Sequence, residues 1–136
     1  MSLVLDSSVS LAWLHEDEHA DGVDAVFDRL IDGGAVVPLL WPLEVANSLT
    51  VATRRSRISK DQRAAFLHSL ESLDIATDPQ TNDHAWSASL QLADLYGLTV
   101  YDAAYLELAQ RLRVPLATLD TALAAAARKA GVEVLP

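Results

Sequence analysis

The sequence contains no cysteine among its 136 residues. Disulfides, thiolate metal sites and cysteine nucleophiles are therefore excluded. It also lacks a long uncharged stretch: the longest, residues 33–43, has eleven residues and includes two prolines, whereas a membrane-spanning helix needs about 20. The first residues lack the basic segment of a secretory signal and reach an acid at Asp6. We therefore expect no membrane span and a cytoplasmic protein.

Basic residues are scarce, with 10 Lys and Arg against 19 Asp and Glu, for a formal net charge of −9. A chain of this charge repels nucleic-acid phosphates, so any bound polyanion would need local basic groups or a bound cation. The charge argues against a simple DNA-binding module. A hydrophobic content of 51% over this length is typical of one folded domain. We expect residues 1–136 to form a single globular domain.

Short apolar runs alternate with segments of helical periodicity along the chain. Strands are predicted at 3–5, 35–37, near 75, at 116–119 and at 132–135, and helices at 9–14, 23–31, 42–55, 60–73, 82–95, 101–112 and from 121 to Gly131. Ser7 and Ser8 are candidate N-caps of the first helix. This alternation predicts an α/β fold, a doubly wound and mostly parallel sheet with helices on both faces. Ligands of such sheets bind beyond the carboxyl ends of the strands, near a topological switch point.

Four acids interrupt otherwise apolar segments, and their side chains are the candidate functional groups: Asp6, Glu44, Asp102 and Asp120. Taken singly, Asp6 and Asp120 also fit helix N-caps, as an Asp beside a strand end often does. Two carboxylates about 4 Å apart repel by about 4 kcal/mol at an effective dielectric constant of about 20. Lys and Arg are absent from the four segments. A bound cation is the simplest way to offset such repulsion.

An all-oxygen site suits Mg²⁺, or Mn²⁺ in its place, because these hard ions bind carboxylates, water and phosphate. The reaction that fits is phosphodiester hydrolysis by a metal-positioned water. Asp6, Asp102 and Asp120 are the predicted ligands, directly or through water. Glu44 is either a further ligand or the group that orients the attacking water.

Four segments of the chain, taken together, resemble the PIN-domain ribonucleases. They are Leu-Asp-Ser-Ser at 5–8, Pro-Leu-Glu-Val-Ala-Asn at 42–47, Tyr-Asp-Ala-Ala-Tyr-Leu-Glu-Leu-Ala at 101–109 and Thr-Leu-Asp at 118–120. Within that family the sequence is most similar to the VapC-like toxins of bacterial toxin–antitoxin pairs, and the similarity extends over essentially the whole chain.

This resemblance implies strand order 3-2-1-4-5 and an endoribonuclease activity that depends on Mg²⁺ or Mn²⁺. It also implies a homodimer and a separately encoded VapB-like antitoxin that blocks the site with an arginine. Asp6, Glu44, Asp102 and Asp120 match the acidic quartet of the family. Thr118 falls where the family often has a small hydroxyl residue, and Asn47 is a second candidate for supporting the site.

Half of the basic residues fall within ten positions of one another: Arg54, Arg55, Arg57, Lys60 and Arg63. These five residues are called the basic cluster below. One interpretation is a solvated helix end whose cations complement the helix dipole. The other is a track for RNA phosphates, with Arg54, Arg55 and Arg57 as contacts.

Several other interpretations stay open. Residues 15–19 read His-Glu-Asp-Glu-His and fit the H-E-x-x-H pattern of zinc peptidases, in an unusually acidic context. A haloacid-dehalogenase-like phosphatase also has an Asp after its first strand, but it wants a second Asp where this chain has Ser8. A phosphoacceptor receiver domain requires a Lys after a late strand, and this chain has Asp120 at the comparable position. A catalytically silent binding domain would keep the fold without turnover. Trp13, with Phe27 and Phe66, either packs in the core or lines a groove for a partner helix.

Overall fold

The computed structural model describes residues 2–15 and 22–136 of the chain. The strands are β1 (Leu3–Leu5), β2 (Ala35–Val37), β3 (Ile75–Thr77), β4 (Leu116–Ala117) and β5 (Val134–Leu135). The α-helices are α1 (Ser7–Ala12), α2 (Val23–Gly33), α3 (Trp41–Arg54), α4 (Lys60–Glu71), α5 (Leu90–Tyr96), α6 (Val100–Leu112) and α7 (Thr121–Lys129).

The strands form one five-stranded sheet in the order β3-β2-β1-β4-β5, and each neighbouring pair is parallel. β1 lies at the centre, where Val4 pairs with Val36 of β2 on one side and with Leu116 of β4 on the other. The chain first builds outward through β2 and β3 and then crosses back to β4. This confirms the α/β class and the predicted strand order, and it places the switch point between β1 and β4.

The core is apolar on both faces of the sheet, as expected for parallel strands covered by helices. All three residues of β1 are fully buried, as are Tyr105 and Leu106 of α6. α6 packs against both β1 and β4. This central helix therefore anchors its own first turn beside the carboxyl ends of the two middle strands. Within the residues described, no helix combines the length and the apolar character that crossing a membrane requires.

Several helix ends differ from the sequence prediction by one or two residues, and two of the helix starts lie at the acids. Asp6, rather than Ser7 or Ser8, occupies the N-cap position of α1, and it makes no side-chain capping bond there. α6 begins at Val100 because the Thr99 hydroxyl accepts a hydrogen bond from the Asp102 amide, which starts the helix one residue before the predicted position. At α4 the prediction is confirmed, since Ser59 and Gln62 form a reciprocal capping box.

The predicted helix at 82–95 is an irregular helical run. It comprises a 3₁₀ turn at Asn82–His84, a π-helical turn at Ala85–Ser89 and then α5. Thr81 does not cap it, because its hydroxyl donates to the Asp78 backbone carbonyl and accepts from the Leu39 amide. β4 and β5 are also shorter than predicted, with two residues each.

Candidate active site

The carboxylate of Asp6 lies at the end of β1, where it is nearly inaccessible, with 6% of the residue exposed. Its Oδ2 accepts hydrogen bonds from the hydroxyls of Ser8 and Thr118, each at 2.7 Å. Two such donors lower the cost of burying a charged oxygen. The pair fixes the orientation of the carboxylate, so Asp6 is held from both sides of the switch point.

The loop after β4 is joined to the start of α1 by the same hydroxyls. The Leu119 amide donates to Ser8 Oγ, and the Asp120 amide donates to Thr118 Oγ1, both at 3.0 Å. Asp120 Oδ1 accepts from the Leu123 amide at 2.9 Å and caps α7. The capping role considered for Asp120 is therefore real. The cap uses only one carboxylate oxygen of Asp120, so the other oxygen stays available to contact a ligand.

Glu44 stands in the first turn of α3 and is half-buried. Its Oε1 accepts a hydrogen bond from the hydroxyl of Tyr105, a residue of α6 whose side chain is fully buried. Burial raises the pKa of Tyr105, and the contact with Glu44 raises it further, so the phenol keeps its proton as donor. Tyr105 therefore fixes the Glu44 carboxylate against α6.

Asp102 lies in the first turn of α6 and is also half-buried. Two features set its position. The Thr99 cap determines where the helix begins, and the burial of residues Ala103 to Ala109 holds the rest of the helix against the core. A carboxylate in the first turn of a helix is favoured by the helix dipole.

The electrostatics show that the four acids share one region. Burial raises the pKa of Glu44, and the charges of Asp6 and Asp102 raise it further, against the opposing hydrogen bond from Tyr105. Burial likewise raises the pKa of Asp102, with the charges of Asp120 and Asp6 adding to it and the bond to Thr99 opposing it. The charges acting on both groups are those of other carboxylates. The structure thus brings Asp6, Glu44, Asp102 and Asp120 together, although they are far apart in sequence.

This donor set fits a hard divalent cation in its chemistry, because it is all oxygen and its negative charges are mutually unfavourable. In the described part of the chain, no three His, Asp or Glu side chains are arranged closely enough to ligate one ion. Mg²⁺ usually keeps several waters and takes one or two carboxylates directly. The arrangement is therefore suited to an ion held partly through water, rather than to a closed protein cage.

Two residues beside the acids were not predicted as part of the site. The sequence indicates Ser8 only as a helix cap, yet its hydroxyl donates a hydrogen bond to Asp6. Tyr105 follows Asp102 by three positions, so the two share one face of α6, and this spacing is the signal that could have found it. Of the two supporting candidates, Thr118 contacts Asp6 directly. Asn47 is exposed on α3, one turn after Glu44.

The basic cluster occupies the end of α3, the following turn and the start of α4. Four of its members are exposed and Arg63 is half-buried. Of the His-Glu-Asp-Glu-His motif, His15 is described and half-buried, whereas positions 16–19 lie outside the described residues.

The fold and the site define a doubly wound α/β protein with a group of carboxylates at its switch point, where this class binds ligands. The family model of the PIN domain matches residues 3–129. The chain is 30% identical over 124 residues to Ribonuclease VapC3 of Pyrobaculum aerophilum, covering 91% of this chain and 93% of that one. The chain therefore belongs to the PIN-domain family.

Solved structures share its fold. PAE2754 from Pyrobaculum aerophilum has a TM-score of 0.71 at 23% identity, over 98% of this chain and 89% of the other. FitAcB from Neisseria gonorrhoeae has a TM-score of 0.67 at 18% identity, with 98% and 96% covered. VapBC2 from Rickettsia felis, which was solved bound to a DNA fragment from its promoter, has a TM-score of 0.65 at 13% identity, with 98% and 97% covered.

Proposed function

We propose that this protein is a VapC-like endoribonuclease, the toxin of a toxin–antitoxin pair, which hydrolyses RNA with a divalent cation. The observation that carries the proposal is the convergence of Asp6, Glu44, Asp102 and Asp120, because the charges of the other acids contribute to raising the pKa values of Glu44 and Asp102. Similarity to Ribonuclease VapC3 over nearly the whole chain supports the same activity.

Asp6, Asp102 and Asp120 would hold the cation, with Mg²⁺ as the expected ion and Mn²⁺ as its substitute. When bound, such an ion supplies Lewis-acid stabilisation of phosphate charge and lowers the pKa of a coordinated water. Asp6 presents a fixed oxygen because Ser8 and Thr118 hold its Oδ2. Asp120 is fixed by its bond to the Leu123 amide.

Glu44 would orient the attacking water and accept its proton. A raised pKa suits a carboxylate to this role, because a general base works best when its pKa approaches the operating pH. The Tyr105 hydroxyl holds Oε1 and leaves Oε2 for the water. The water oxygen then forms a bond to phosphorus as the bond to the leaving ribose oxygen breaks, and that oxygen takes up a proton.

RNA would approach over the basic cluster, where Arg54, Arg55 and Arg57 supply positive charge beside an acidic site. The three guanidinium groups are exposed. They offset the repulsion that a chain of net charge −9 exerts on phosphates. Neutralising all three should weaken RNA binding and flatten its salt dependence.

The inhibitory partner would be a VapB-like antitoxin with an apolar helix and an arginine that reaches the carboxylates. A groove of about 530 Å³ between α1 and α4 suits such a helix, and Trp13 and Phe66 line it. Trp13 also packs edge-on against Phe27, with ring centroids 5.3 Å apart. Fold similarity to VapBC2 is consistent with this partner.

A cytoplasmic homodimer completes the proposal. Large apolar side chains are exposed on two elements that contact each other, the π-helical turn and α6, with Trp86 94% and Tyr101 68% accessible. A contiguous apolar surface is typical of a protein interface.

The phosphatase alternative lacks support at the position that would distinguish it. Ser8 stands where a second Asp is required, and its hydroxyl is bonded to Asp6 and to the Leu119 amide. A silent binding domain makes a different prediction, which is the absence of cleavage under every metal condition.

The test is cleavage of structured RNA with Mg²⁺, with Mn²⁺ and with chelator. We expect metal-dependent cleavage by the wild type and a loss of at least about 100-fold in Asp6→Asn and Asp102→Asn. Asp94→Asn, at an exposed position on α5, serves as the matched control and should cleave normally. Cleavage in chelator, or full activity in both site variants, would refute the proposal.

A further inference from the structure

A pocket of about 320 Å³ lies between α1, α3 and the loop after β4. Ser8 and Leu119 form the wall nearest the acids. Ser8 donates to Asp6, and Leu119 immediately precedes Asp120. The pocket therefore adjoins the segments that carry Asp6 and Asp120.

The lining combines an apolar floor with positive charge. Leu11 and Ala12 of α1 and Ala52 of α3 contribute to the floor, while Arg55 and Arg57 border the pocket. Lys60 and Arg63 of the same basic cluster do not line it. The positive charge at this pocket thus comes from two particular arginines.

This chemistry suits a single-stranded nucleotide. Bases of single-stranded RNA bind on apolar surfaces and arginine planes, and the backbone binds guanidinium groups bidentately. The Ser48 hydroxyl on the lining can meet a polar edge of a base. The neighbouring carboxylates repel phosphate. Attraction for the RNA backbone must therefore come from basic side chains at the pocket, such as Arg55 and Arg57.

We propose that this pocket holds the nucleotide adjacent to the scissile phosphodiester, with its base on the floor and its phosphate against Arg55 and Arg57. The proposal rests on the proposed function, because it extends the path of the substrate beyond the acids. It assigns sequence selection to a defined pocket and leaves Lys60 and Arg63 with a general electrostatic role.

The experiment measures binding without cleavage. Full-length protein carrying Asp102→Asn is titrated into fluorescein-labelled single-stranded RNA in chelator, and anisotropy is followed over a range of salt. Adding Arg55→Ala and Arg57→Ala should weaken binding about tenfold near 0.1 M salt and reduce the log–log salt slope by about 1.4, or 0.7 for each phosphate contact. The matched control, Lys60→Ala with Arg63→Ala, removes equal charge outside the pocket and should cost clearly less. Equal losses of RNA affinity in the arginine pair and in the control pair would overturn the proposed nucleotide pocket.

A second pair of variants tests volume without altering charge. Ser48→Phe fills the pocket, whereas Ala46→Phe adds the same ring at an exposed position of the same helix. We expect Ser48→Phe to weaken RNA binding about tenfold with the salt slope unchanged, and Ala46→Phe to bind normally. Ala52→Leu repeats the test should Ser48→Phe fail to fold by circular dichroism. Normal RNA binding in the folded filling variant would overturn the proposal.

The outcomes separate this proposal from the proposed function. Metal-dependent cleavage with normal binding in the pocket variants rejects the pocket alone. Lost binding in those variants, with no cleavage by the wild type under any metal, rejects the nuclease and retains a nucleotide pocket. Binding of an acidic peptide at this pocket, with no binding of RNA, would assign it to a protein partner and overturn the inference.

Discussion

At the scale of single residues, the site depends on hydroxyl groups that hold carboxylates in place. Thr118 donates to Asp6 Oδ2 and accepts from the Asp120 amide, so one side chain connects two of the four acids. The sequence predicts the acids because each interrupts an apolar segment. It does not predict Ser8 or Tyr105 as their partners, since those contacts depend on how β1, α3 and α6 pack.

Replacing Thr118 with Val keeps the shape of the side chain and removes both hydrogen bonds. Thr118 is 4% exposed, so a buried carboxylate oxygen and an amide each lose a partner. We expect a loss of about 1–3 kcal/mol in the free energy of unfolding, measured by urea denaturation. Thr50→Val, which removes a hydroxyl bonded to the Ala46 carbonyl on α3, is the control and should cost less. Equal losses of unfolding free energy in the two variants would show that the hydrogen bonds of Thr118 do not stabilise the site.

The acidic cluster should also lower stability when no cation is present. The folded-state pKa of Asp102 lies above its ordinary value of 3.8. Protonation therefore favours the folded state, and this contribution is fully present below about pH 3.8 and is lost as pH rises through the raised pKa. In chelator, Asp102→Asn should be more stable than the wild type at neutral pH, and the difference should shrink toward pH 4. Thermal unfolding from pH 4 to 8, with Asp94→Asn as control, measures this; a difference that grows toward acid would contradict it.

At the scale of elements, α6 serves two regions of the molecule. The first two turns of the helix bring Asp102 and Tyr105 to the other acids. Farther along, Arg111 binds Glu107 at 2.7 Å and Asp78, which follows β3, at 2.6 Å. Both carboxylates are nearly buried, and the guanidinium joins the sheet edge to the helix. The helix itself is predictable from its periodicity, but this partner is not, because Asp78 is 33 residues away.

Removing the guanidinium should be costly because it leaves two buried carboxylates without their cation. We expect Arg111→Met to lose about 3 kcal/mol of unfolding free energy, the lower end of the range for breaking a buried pair, since Arg111 retains some exposure. Arg128→Met, at an exposed position on α7, is the comparison and should change stability little. Denaturant titration measures both, and a loss below about 1 kcal/mol would mean that water replaces the arginine.

One helix predicted from the sequence, at 82–95, is irregular in the structure. The segment at 82–95 has helical periodicity, yet Asp78, Thr81 and Leu39 hold its start in a turn. The following residues form 3₁₀ and π turns before α5. Tertiary hydrogen bonds therefore override local propensity here.

At the scale of the whole molecule, the parallel sheet gathers the acids. β1 and β4 are neighbours, so the residues that follow them, Asp6 and Asp120, meet at one edge. The helices α3 and α6 add Glu44 and Asp102 in their first turns. Strand order could be predicted through the family resemblance, and with it the meeting of the acids. The distribution of exposed apolar surface required the structure.

That exposed surface predicts self-association. Leu39 and Tyr101 line an apolar pocket of about 180 Å³, together with Ala85, whose neighbour Trp86 is almost entirely accessible. Light scattering should give the mass of a dimer for the wild type and of a monomer for Trp86→Ser combined with Tyr101→Ser. Leu43→Ser removes an apolar side chain of 75% exposure elsewhere and serves as control. A wild type that is monomeric at micromolar concentration would contradict the dimer.

We propose that carboxylates from four separate segments form one site that a divalent cation completes. Calorimetric titration of the full chain with Mn²⁺ tests this without RNA or turnover. We expect saturable binding by the wild type and by Asp94→Asn, and a loss of at least tenfold in affinity for Asp6→Asn and Asp102→Asn. Failure of the wild type to bind Mn²⁺, or equal binding by all four proteins, would contradict it.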